Sequence, residues 1–330
     1  ELGRRGKKQR RGLGDKLSSA QVSALQTATF FGNDVDPKMV RLATMNLTLR
    51  GLPNVRILLR NVLTTTLDPD KRAEFGLPAE GYHVVLANPP FSGRVDKDPI
   101  VEDVKVGTST ATELLFLKYM MDSLRAPRPL GEGLGEREGG RCGVIVPEGV
   151  LFGSTTAHKE LRRQLIENNR VEAVLSFPGG IFQPYSGVKT SVLIFKKPAL
   201  SNVEGGGSTE RVMFLHADND GYKLDANHDT PIDQDDLPDL IAAYRNKDQL
   251  WTDWQTRDAE KIWTTKWWFA DATTLRANDF NLSAGRYRPM NQTAVEHRNP
   301  RELLDELAAI EAEIVEEVEA LRAVLAEPTQ

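Results

Sequence analysis

Apolar and polar positions follow two different periods along the first 200 residues of the chain. Short apolar runs predict β-strands, and they lie at Phe30 to Asp34, Val55 to Leu59, Val84 to Ala87, Cys142 to Val146, Val171 to Phe177 and Lys189 to Lys196. Apolar residues at spacings of three and four predict helices between these runs, from Pro37 to Leu49, from about Ala111 to Leu124 and from about Thr156 to Asn168.

This alternation predicts the fold class. Strands that alternate with helices are typical of an α/β fold, a doubly wound, largely parallel Rossmann-like sheet with helices on both faces. The last two strands are joined by the loop Pro178 to Val188 without a helix. They are therefore expected to form an antiparallel hairpin at one edge of the sheet.

The pattern changes after residue 200 and indicates four segments. We expect a basic, poorly ordered segment at 1–27, an α/β catalytic domain at 28–200, a small α/β appendage at 201–295 and a C-terminal helix at 296–330. The appendage contains the predicted strand Arg211 to His216 and a group of tryptophans. A small packed subdomain explains these tryptophans better than base stacking does.

The C-terminal segment is strongly amphipathic. Its apolar residues recur every three or four positions with glutamates between them, at Leu303, Leu307, Ile310, Ile314, Val318, Leu321 and Leu325. Such a long helix with an acidic outer face either folds back on its own domain or joins an intermolecular bundle, and its length favours the bundle.

Composition and charge narrow the classes of function. The net charge is −5, which is unexpected for a protein that holds DNA alone, so sequence recognition is expected from a partner. The basic cluster Arg4 to Arg11 could contact phosphates but is more typical of a solvated segment. No apolar run is long enough to span a bilayer, and the scattered histidines show no metal-ligand spacing, so neither a membrane nor a metal is expected.

The single cysteine, Cys142, lies within an apolar run. It excludes an internal disulfide and fits a reducing cytoplasm. C5-cytosine methyltransferases need an exposed cysteine nucleophile, so this class is disfavoured. Cys142 is interpreted as a small buried hydrophobe.

The segment Asn88-Pro89-Pro90-Phe91 directly follows an apolar strand and carries the clearest chemistry. An amide oxygen and a backbone carbonyl that accept hydrogen bonds from the exocyclic amine of adenine would free its lone pair for attack on an activated methyl group. Asn88 and the carbonyl of Pro89 can supply these acceptors, and Phe91 offers a flat face to a flipped base. The alternative is a strand that simply ends in a proline turn.

Polar residues at the ends of the first two strands predict a nucleoside-binding edge. An acid at the end of a strand in a doubly wound sheet commonly binds ribose hydroxyls, and Asp34 is in that place. Asp36 precedes Pro37 and is better suited to cap the following helix. Asn61 follows the next strand and either contacts an adenine ring or forms a turn, and the two readings are equally favoured.

Several segments together resemble the modification subunit of type I restriction-modification systems. They are Gly32-Asn33-Asp34-Val35-Asp36-Pro37, Asn88-Pro89-Pro90-Phe91, Gly140 to Pro147, Phe177 to Phe182 with Gly187 to Ser191, and Asn281 to Tyr287. The resemblance implies an adenine-N6 DNA methyltransferase that uses S-adenosylmethionine on double-stranded DNA. It also implies a specificity subunit bound through the C-terminal helix, and it raises a restriction (nuclease) subunit as a further partner.

The resemblance also implies roles for individual residues. Asp34 and Asp36 would lie at the cofactor, Asn61 would hold its adenine, and Asn88 would contact both cofactor and target amine. Pro89, Pro90 and Phe91 complete the base clamp. Phe182 would stack on the other face of the base, with Tyr185 as the competing candidate, and either ring could instead be a core aromatic.

One part of the family pattern is missing from this sequence. The glycine-rich loop that normally contacts the cofactor has no counterpart before Phe30. The chain therefore resembles the C-terminal part of the subunit. Two alternatives stay open, namely methylation of a protein glutamine or an RNA base by the same clamp, and a truncated subunit without enzymatic activity that keeps partner binding.

Overall fold

The structure, a computed structural model, describes residues 17–66, 68–91, 93–96, 99–129, 136–137, 139–198, 209–256 and 266–289, with some positions between 308 and 318. The basic cluster Arg4 to Arg11, Trp263 and most of the loop 131–140 lie outside the described residues. Most of the predicted C-terminal helix does too, and its described positions from Ala308 to Val318 are helical.

The elements agree with the sequence prediction to within one or two residues wherever both exist. The strands are β1 (Phe31–Asp34), β2 (Arg56–Leu59), β3 (Val84–Ala87), β4 (Arg128–Pro129), β5 (Glu136–Arg137), β6 (Arg141–Pro147), β7 (Arg170–Ser176), β8 (Thr190–Lys196), β9 (Arg211–His216), β10 (Asp220–Tyr222), β11 (Pro231–Asp235) and β12 (Trp267–Asp271). The helices are α1 (Ser19–Thr27), α2 (Pro37–Leu49), α3 (Pro69–Glu74), α4 (Thr112–Ser123), α5 (Glu148–Phe152), α6 (Thr156–Asn168), α7 (Leu237–Arg245), α8 (Lys247–Thr256) and α9 (Ala272–Ala277).

Six strands form the central sheet in the order β12-β9-β7-β8-β6-β3. β3 runs parallel to β6, and β7 runs parallel to β9, whereas β8 is antiparallel to both β6 and β7. The predicted antiparallel hairpin of β7 and β8 is thus present. Its predicted place at a sheet edge is wrong, because β9 and β12 extend the sheet beyond β7.

The segment predicted as an appendage contributes to the same sheet. β9 pairs with β7, and β12 pairs antiparallel with β9 along its whole length. The segment Asn281 to Tyr287 packs on this part of the core, where Leu282 is buried and the Tyr287 ring stacks on Phe214 at a centroid distance of 5.0 Å. The six-stranded sheet therefore continues across the boundary near residue 200, and β10 and β11 pair beyond it as a separate two-stranded sheet.

The core occupies both faces of the sheet. Val174 and Phe214 face the side covered by α4, α5 and α6, while their neighbours Ala173 and Leu215 face the side covered by α7 and α8. Each large apolar side chain buried this way contributes about 1.5–3 kcal/mol. The alternation gives the layered, doubly wound α/β arrangement that the sequence predicted. The sheet itself is mixed rather than largely parallel, because three of its five strand pairings are antiparallel.

β1 and β2 form a separate parallel pair, in register from Phe31 opposite Arg56 to Asp34 opposite Leu59. The chain enters α2 through Asp36, whose side chain caps the helix by accepting from the Lys38 N–H at 2.8 Å. The predicted apolar spacing of α2 is present, and none of its residues is buried by the parts of the chain that the structure describes. No helix in the described part of the chain is both long and apolar enough to cross a membrane.

Candidate functional site

The segment Asn88 to Phe91 begins where β3 stops pairing with β6. The last residue of β3, Ala87, lies opposite Val144 of β6. Two prolines follow Asn88, and because proline has no N–H, it cannot extend a hydrogen-bonded ladder. The chain therefore leaves the sheet at its carboxyl edge with Asn88 exposed and Pro89 buried.

A single cavity of about 590 Å³ brings three predicted site residues together. Asp34 at the end of β1, Asn61 after β2 and Asn88 after β3 all line it. Phe116, Tyr119 and Met120 of α4 also line the cavity and give it an apolar side. Such a combination of an apolar wall and a few polar groups is typical of a small-molecule site.

The cavity lies between the facing edges of two strands. Each residue of β1 and of β3 lines it, and the described part of the chain has no strand between these two edges. Gly32 is the only glycine among its described lining residues. The described lining therefore does not supply the backbone amides of a glycine-rich loop, and the sequence has no counterpart of that loop before Phe30.

Asp34, Asp36 and Asn61 already use part of their hydrogen-bonding capacity locally. The Asp34 carboxylate accepts from the Asp36 N–H at 2.8 Å, and Asp36 itself caps α2. The Asn61 side-chain oxygen accepts from the Leu63 N–H at 3.0 Å, which leaves its amide N–H groups for a ligand. The turn reading of Asn61 and the ligand reading are therefore compatible.

Two buried polar atoms at the cavity have no hydrogen-bond partner. They are the side-chain oxygen of Asn33 and Nε of Arg60, and both residues line the cavity. An unpaired buried polar atom costs about 1–3 kcal/mol, and each of these two atoms needs a small side-chain movement before a ligand in the cavity can pair with it. Sequence reasoning did not assign either residue, although both lie at the carboxyl ends of strands next to residues that it did assign.

The loop between β7 and β8 brings Phe182 to the clamp. The rings of Phe91 and Phe182 lie 6.4 Å apart between centroids with an interplanar angle of 64°, an edge-to-face contact. Tyr185 lies in the same loop but is 94% exposed. Of the two aromatic candidates, the structure places Phe182 beside Phe91 and leaves Tyr185 in solvent.

Cys142 is buried in β6, with 2% of its surface exposed. Burial raises the pKa of its thiol to about 12. A thiol of this kind is protonated at neutral pH and cannot act as a nucleophile. Covalent catalysis through this cysteine is therefore excluded.

Comparison with known proteins shows which family has the same sequence pattern. The profile of the N-6 DNA Methylase family matches residues 15–296. The chain belongs to the N-6 DNA methylase family. Asp34, Asn61, Asn88 and Phe182 all fall within the matched part of this family member.

Several curated relatives of this N-6 DNA methylase family member are methylase subunits of type I restriction enzymes. It is 27% identical over 248 residues to the EcoEI methylase subunit of Escherichia coli, covering 74% of this chain and 44% of that protein. It is 30% identical over 182 residues to the EcoKI methylase subunit of Escherichia coli strain K12, covering 52% and 29%. The chain thus spans less than half the length of these relatives.

Solved structures show the same fold. One, from a study of complex assembly and conformational transition in a type I restriction-modification system, matches with a TM-score of 0.62 and 27% identity over 96% of this chain and 58% of that chain. The modification subunit of a putative type I restriction enzyme from Vibrio vulnificus YJ016 matches with a TM-score of 0.60 and 21% identity, over 86% and 52%. The second likeness is one of fold alone.

Proposed function

We propose that this chain carries the catalytic clamp of a type I restriction-modification methyltransferase, which transfers a methyl group from S-adenosylmethionine to the N6 amine of a flipped-out adenine in DNA. The observation that carries this proposal is the cavity lined by both Asp34 and Asn88. Because a direct transfer needs the donor and the acceptor side by side, the residues that bind each must meet in one space.

Asn88 and Pro89 would act on the amine of the target base. The side-chain oxygen of Asn88 and the backbone carbonyl of Pro89 each accept one N–H of the exocyclic amine. These contacts are stronger once the nitrogen becomes tetrahedral and positively charged, so they stabilise the transition state more than the ground state. The amine lone pair would form the new bond to the methyl carbon while the carbon–sulfur bond breaks with its electrons on sulfur. One proton of the methylated amine would then pass to water, because neither acceptor is a base. Pro89 and Pro90 have fixed φ angles, which reduce the freedom of the loop before the base arrives.

Phe91 and Phe182 would hold the flipped base between them. Their present edge-to-face contact fills the space between the rings, so one ring has to turn before a base can stack on both. Base stacking on an aromatic side chain is worth about 1–3 kcal/mol per base. Tyr185, which is exposed, would instead be available to DNA outside the pocket.

The cofactor would lie along the carboxyl ends of β1 and β2. Asp34 would accept from the ribose hydroxyls, Asn61 would contact the adenine edge, and Asn33 and Arg60 would pair their buried polar atoms with it. When bound, S-adenosylmethionine supplies a methyl group on a positively charged sulfur, which is the electrophile of the reaction. Asp36 is engaged as a helix cap and would contribute by fixing the turn after Asp34.

The proposed partners follow from the relatives and from the charge of the chain. We propose double-stranded DNA as substrate and a specificity subunit that docks on the C-terminal helix and reads the DNA sequence. A restriction subunit would complete the full system. Because bacterial DNA lies in the cytoplasm, the complex would act there.

The proposal predicts that Asn88→Ala removes methyl transfer without unfolding the chain. We expect the rate to fall by at least about a hundredfold, since one acceptor of the reacting amine is lost. Because Asn88 is exposed, its replacement leaves the thermal unfolding midpoint unchanged. The measurement is transfer of tritiated methyl groups to DNA from a methylation-deficient bacterium, by the complex assembled with its specificity subunit.

A matched variant makes this test specific. Asn246→Ala changes another exposed asparagine, at the end of α7 and outside the cavity lining, and should retain full activity. Full activity of Asn88→Ala in the same complex would contradict the assignment. Label found in RNA or protein but not in DNA would support the second reading, in which the same clamp acts on an RNA base or a glutamine amide.

A further inference from the structure

The loop that carries Phe182 is held at both of its ends by one side chain. This loop, residues 177–189, leaves the sheet after Ser176 of β7 and returns before Thr190 of β8. Oε1 of Glu148 accepts from the Ser176 hydroxyl at 3.1 Å and lies 2.9 Å from Nζ of Lys189. Glu148 therefore contacts the residue before the loop and the last residue of the loop.

Glu148 in turn is fixed to the strand next to the clamp. It is the first residue of α5 and directly follows Pro147 at the carboxyl end of β6. Its own N–H donates to the Lys189 carbonyl at 3.1 Å. Because β6 pairs with β3 up to Ala87, one residue before Asn88, the position of Glu148 is tied to the position of the clamp.

The environment of Glu148 shields its side of these contacts from water. Its side chain is only 17% exposed, and Ser176 is 1% exposed. Ion pairs that are shielded from water are screened by salt less than exposed ones. Lys189 is about half exposed, so the pair lies at the border between the loop and solvent.

We propose that Glu148 and Lys189 are positioning residues that set the place of Phe182 relative to Phe91. The two side chains connect the end of β6 to both ends of the loop 177–189, and we call the pair of Glu148 and Lys189 the staple. Without it, Phe182 samples positions from which it cannot stack on a base held by Asn88. The proposal rests on the proposed function for its catalytic consequence but not for its structural part.

The structural part is tested on the free chain by amide hydrogen exchange of residues 178–188. Glu148→Gln keeps the shape and the hydrogen bond from Ser176 but removes the ion pair. We expect exchange in this loop to rise by about tenfold, with β6 and β8 unchanged, because only the local opening is affected. Lys189→Met should have the same effect, and Lys189→Arg should restore wild-type exchange.

The catalytic part is tested by methyl transfer in the complex with the specificity subunit. Glu148→Gln and Lys189→Met should each lower kcat by about tenfold to about a hundredfold, as expected when a reacting partner is displaced by an ångström or so. The KM for S-adenosylmethionine should not change. The double variant should lose no more than either single variant, since both remove one interaction.

A second, similarly buried glutamate near the other end of β8 provides the control. Glu172 is 12% exposed and lies 3.3 Å from Lys196, at the opposite end of β8 from Lys189. Glu172→Gln removes the ion pairs of this carboxylate with Lys196 and Lys247 and should leave both loop exchange and kcat unchanged.

Each outcome separates this inference from the proposed function. Unchanged loop exchange in Glu148→Gln overturns the staple, and so does a loosened loop with wild-type kcat. If Lys189→Met weakens DNA binding with a shallower salt dependence while Glu148→Gln does not, Lys189 is a phosphate contact and the inference is wrong. If the wild-type complex transfers no methyl group to DNA, the proposed function fails, and hydrogen exchange still decides whether the staple exists.

Discussion

Asp34 shows how one carboxylate can serve both the backbone and a ligand. One of its oxygens accepts from the Asp36 N–H and shapes the turn into α2. Only the other oxygen is available to a bound molecule in the cavity. The two tasks can be separated by substitution, because asparagine keeps an acceptor for the turn and loses the negative charge.

We therefore predict different results for two changes at position 34. Asp34→Asn should weaken binding of S-adenosylmethionine by about tenfold, which corresponds to one charge-assisted hydrogen bond, and keep the unfolding midpoint. Asp34→Ala should weaken binding at least as much and also lower the free energy of unfolding by about 1 kcal/mol, since the turn bond is lost.

Calorimetric titration of the cofactor and thermal unfolding measure the two effects separately. Equal cofactor affinity in the wild type and in both variants would remove Asp34 from the site. If the wild type itself shows no binding, the described lining is insufficient for the cofactor, and partner docking and base clamping remain as the tasks of this chain.

The sequence was sufficient to select candidate site residues, but it did not show which side chains contact each other. Asn88 and Asp34 could be selected because their chemistry is readable next to an apolar strand. The pair of Glu148 and Lys189 could not, because the two residues are far apart in sequence and meet only through the order of the strands. Phe182 was the preferred candidate in sequence and Tyr185 the competing one, and the path of the loop places Phe182 beside Phe91.

At the scale of elements, a buried arginine joins α6 to two neighbouring segments. Arg162 is 2% exposed and donates to backbone carbonyls of Val150 at 3.2 Å, Gly153 at 2.9 Å and Phe280 at 3.1 Å. These carbonyls end α5 and form the turn after α9, where Asp279 and Phe280 have positive φ angles. The guanidinium thus satisfies backbone groups that no regular element satisfies.

We predict that Arg162→Met lowers the free energy of unfolding by about 3 kcal/mol or more, because several buried carbonyls lose a charged donor at once. Urea denaturation followed by circular dichroism measures the change. Arg163→Met, on the exposed face of the same helix, should cause little change, since its ion pairs with Glu160 and Glu167 lie at the surface. Similar losses in both variants would argue against the anchoring role of Arg162.

The main elements of the first 200 residues and β9 were predicted, whereas β12 was not, and the order of the strands in the sheet was predicted only in part. The strands β7, β8 and β9 could be identified from the length and apolar character of their sequences, because each is an apolar run between turns. The pairing of β12 with β9 joins strands separated by a hairpin and two helices, and no local pattern encodes it. For this reason the hairpin was predicted at an edge, although the structure continues the sheet past it.

At the scale of the whole molecule, the described positions of the C-terminal helix expose an apolar stripe. Ile310, Ile314 and Val318 recur every fourth residue and are 53%, 56% and 42% exposed. A stripe of this spacing on an acidic helix is suited to pack against another helix.

We predict that Ile314→Glu prevents stable association with the specificity subunit, because it places a charge inside the helical interface. Copurification of the two subunits after coexpression is the measurement. Glu311→Gln on the same helix is the control and should associate normally. An unchanged complex, together with a lower unfolding midpoint of the free chain, would show instead that the stripe packs against its own domain.

Cys142, the only cysteine of the chain, is held protonated inside the sheet. Maleimide dyes and nitroxide labels react with thiolates, so the wild-type chain offers them almost no target under native conditions. A single cysteine introduced at the solvent-exposed position of Tyr185 would therefore take up a probe alone, with no background to remove first. The chain is thus ready for single-molecule fluorescence or electron paramagnetic resonance of the loop beside Phe182 as DNA arrives.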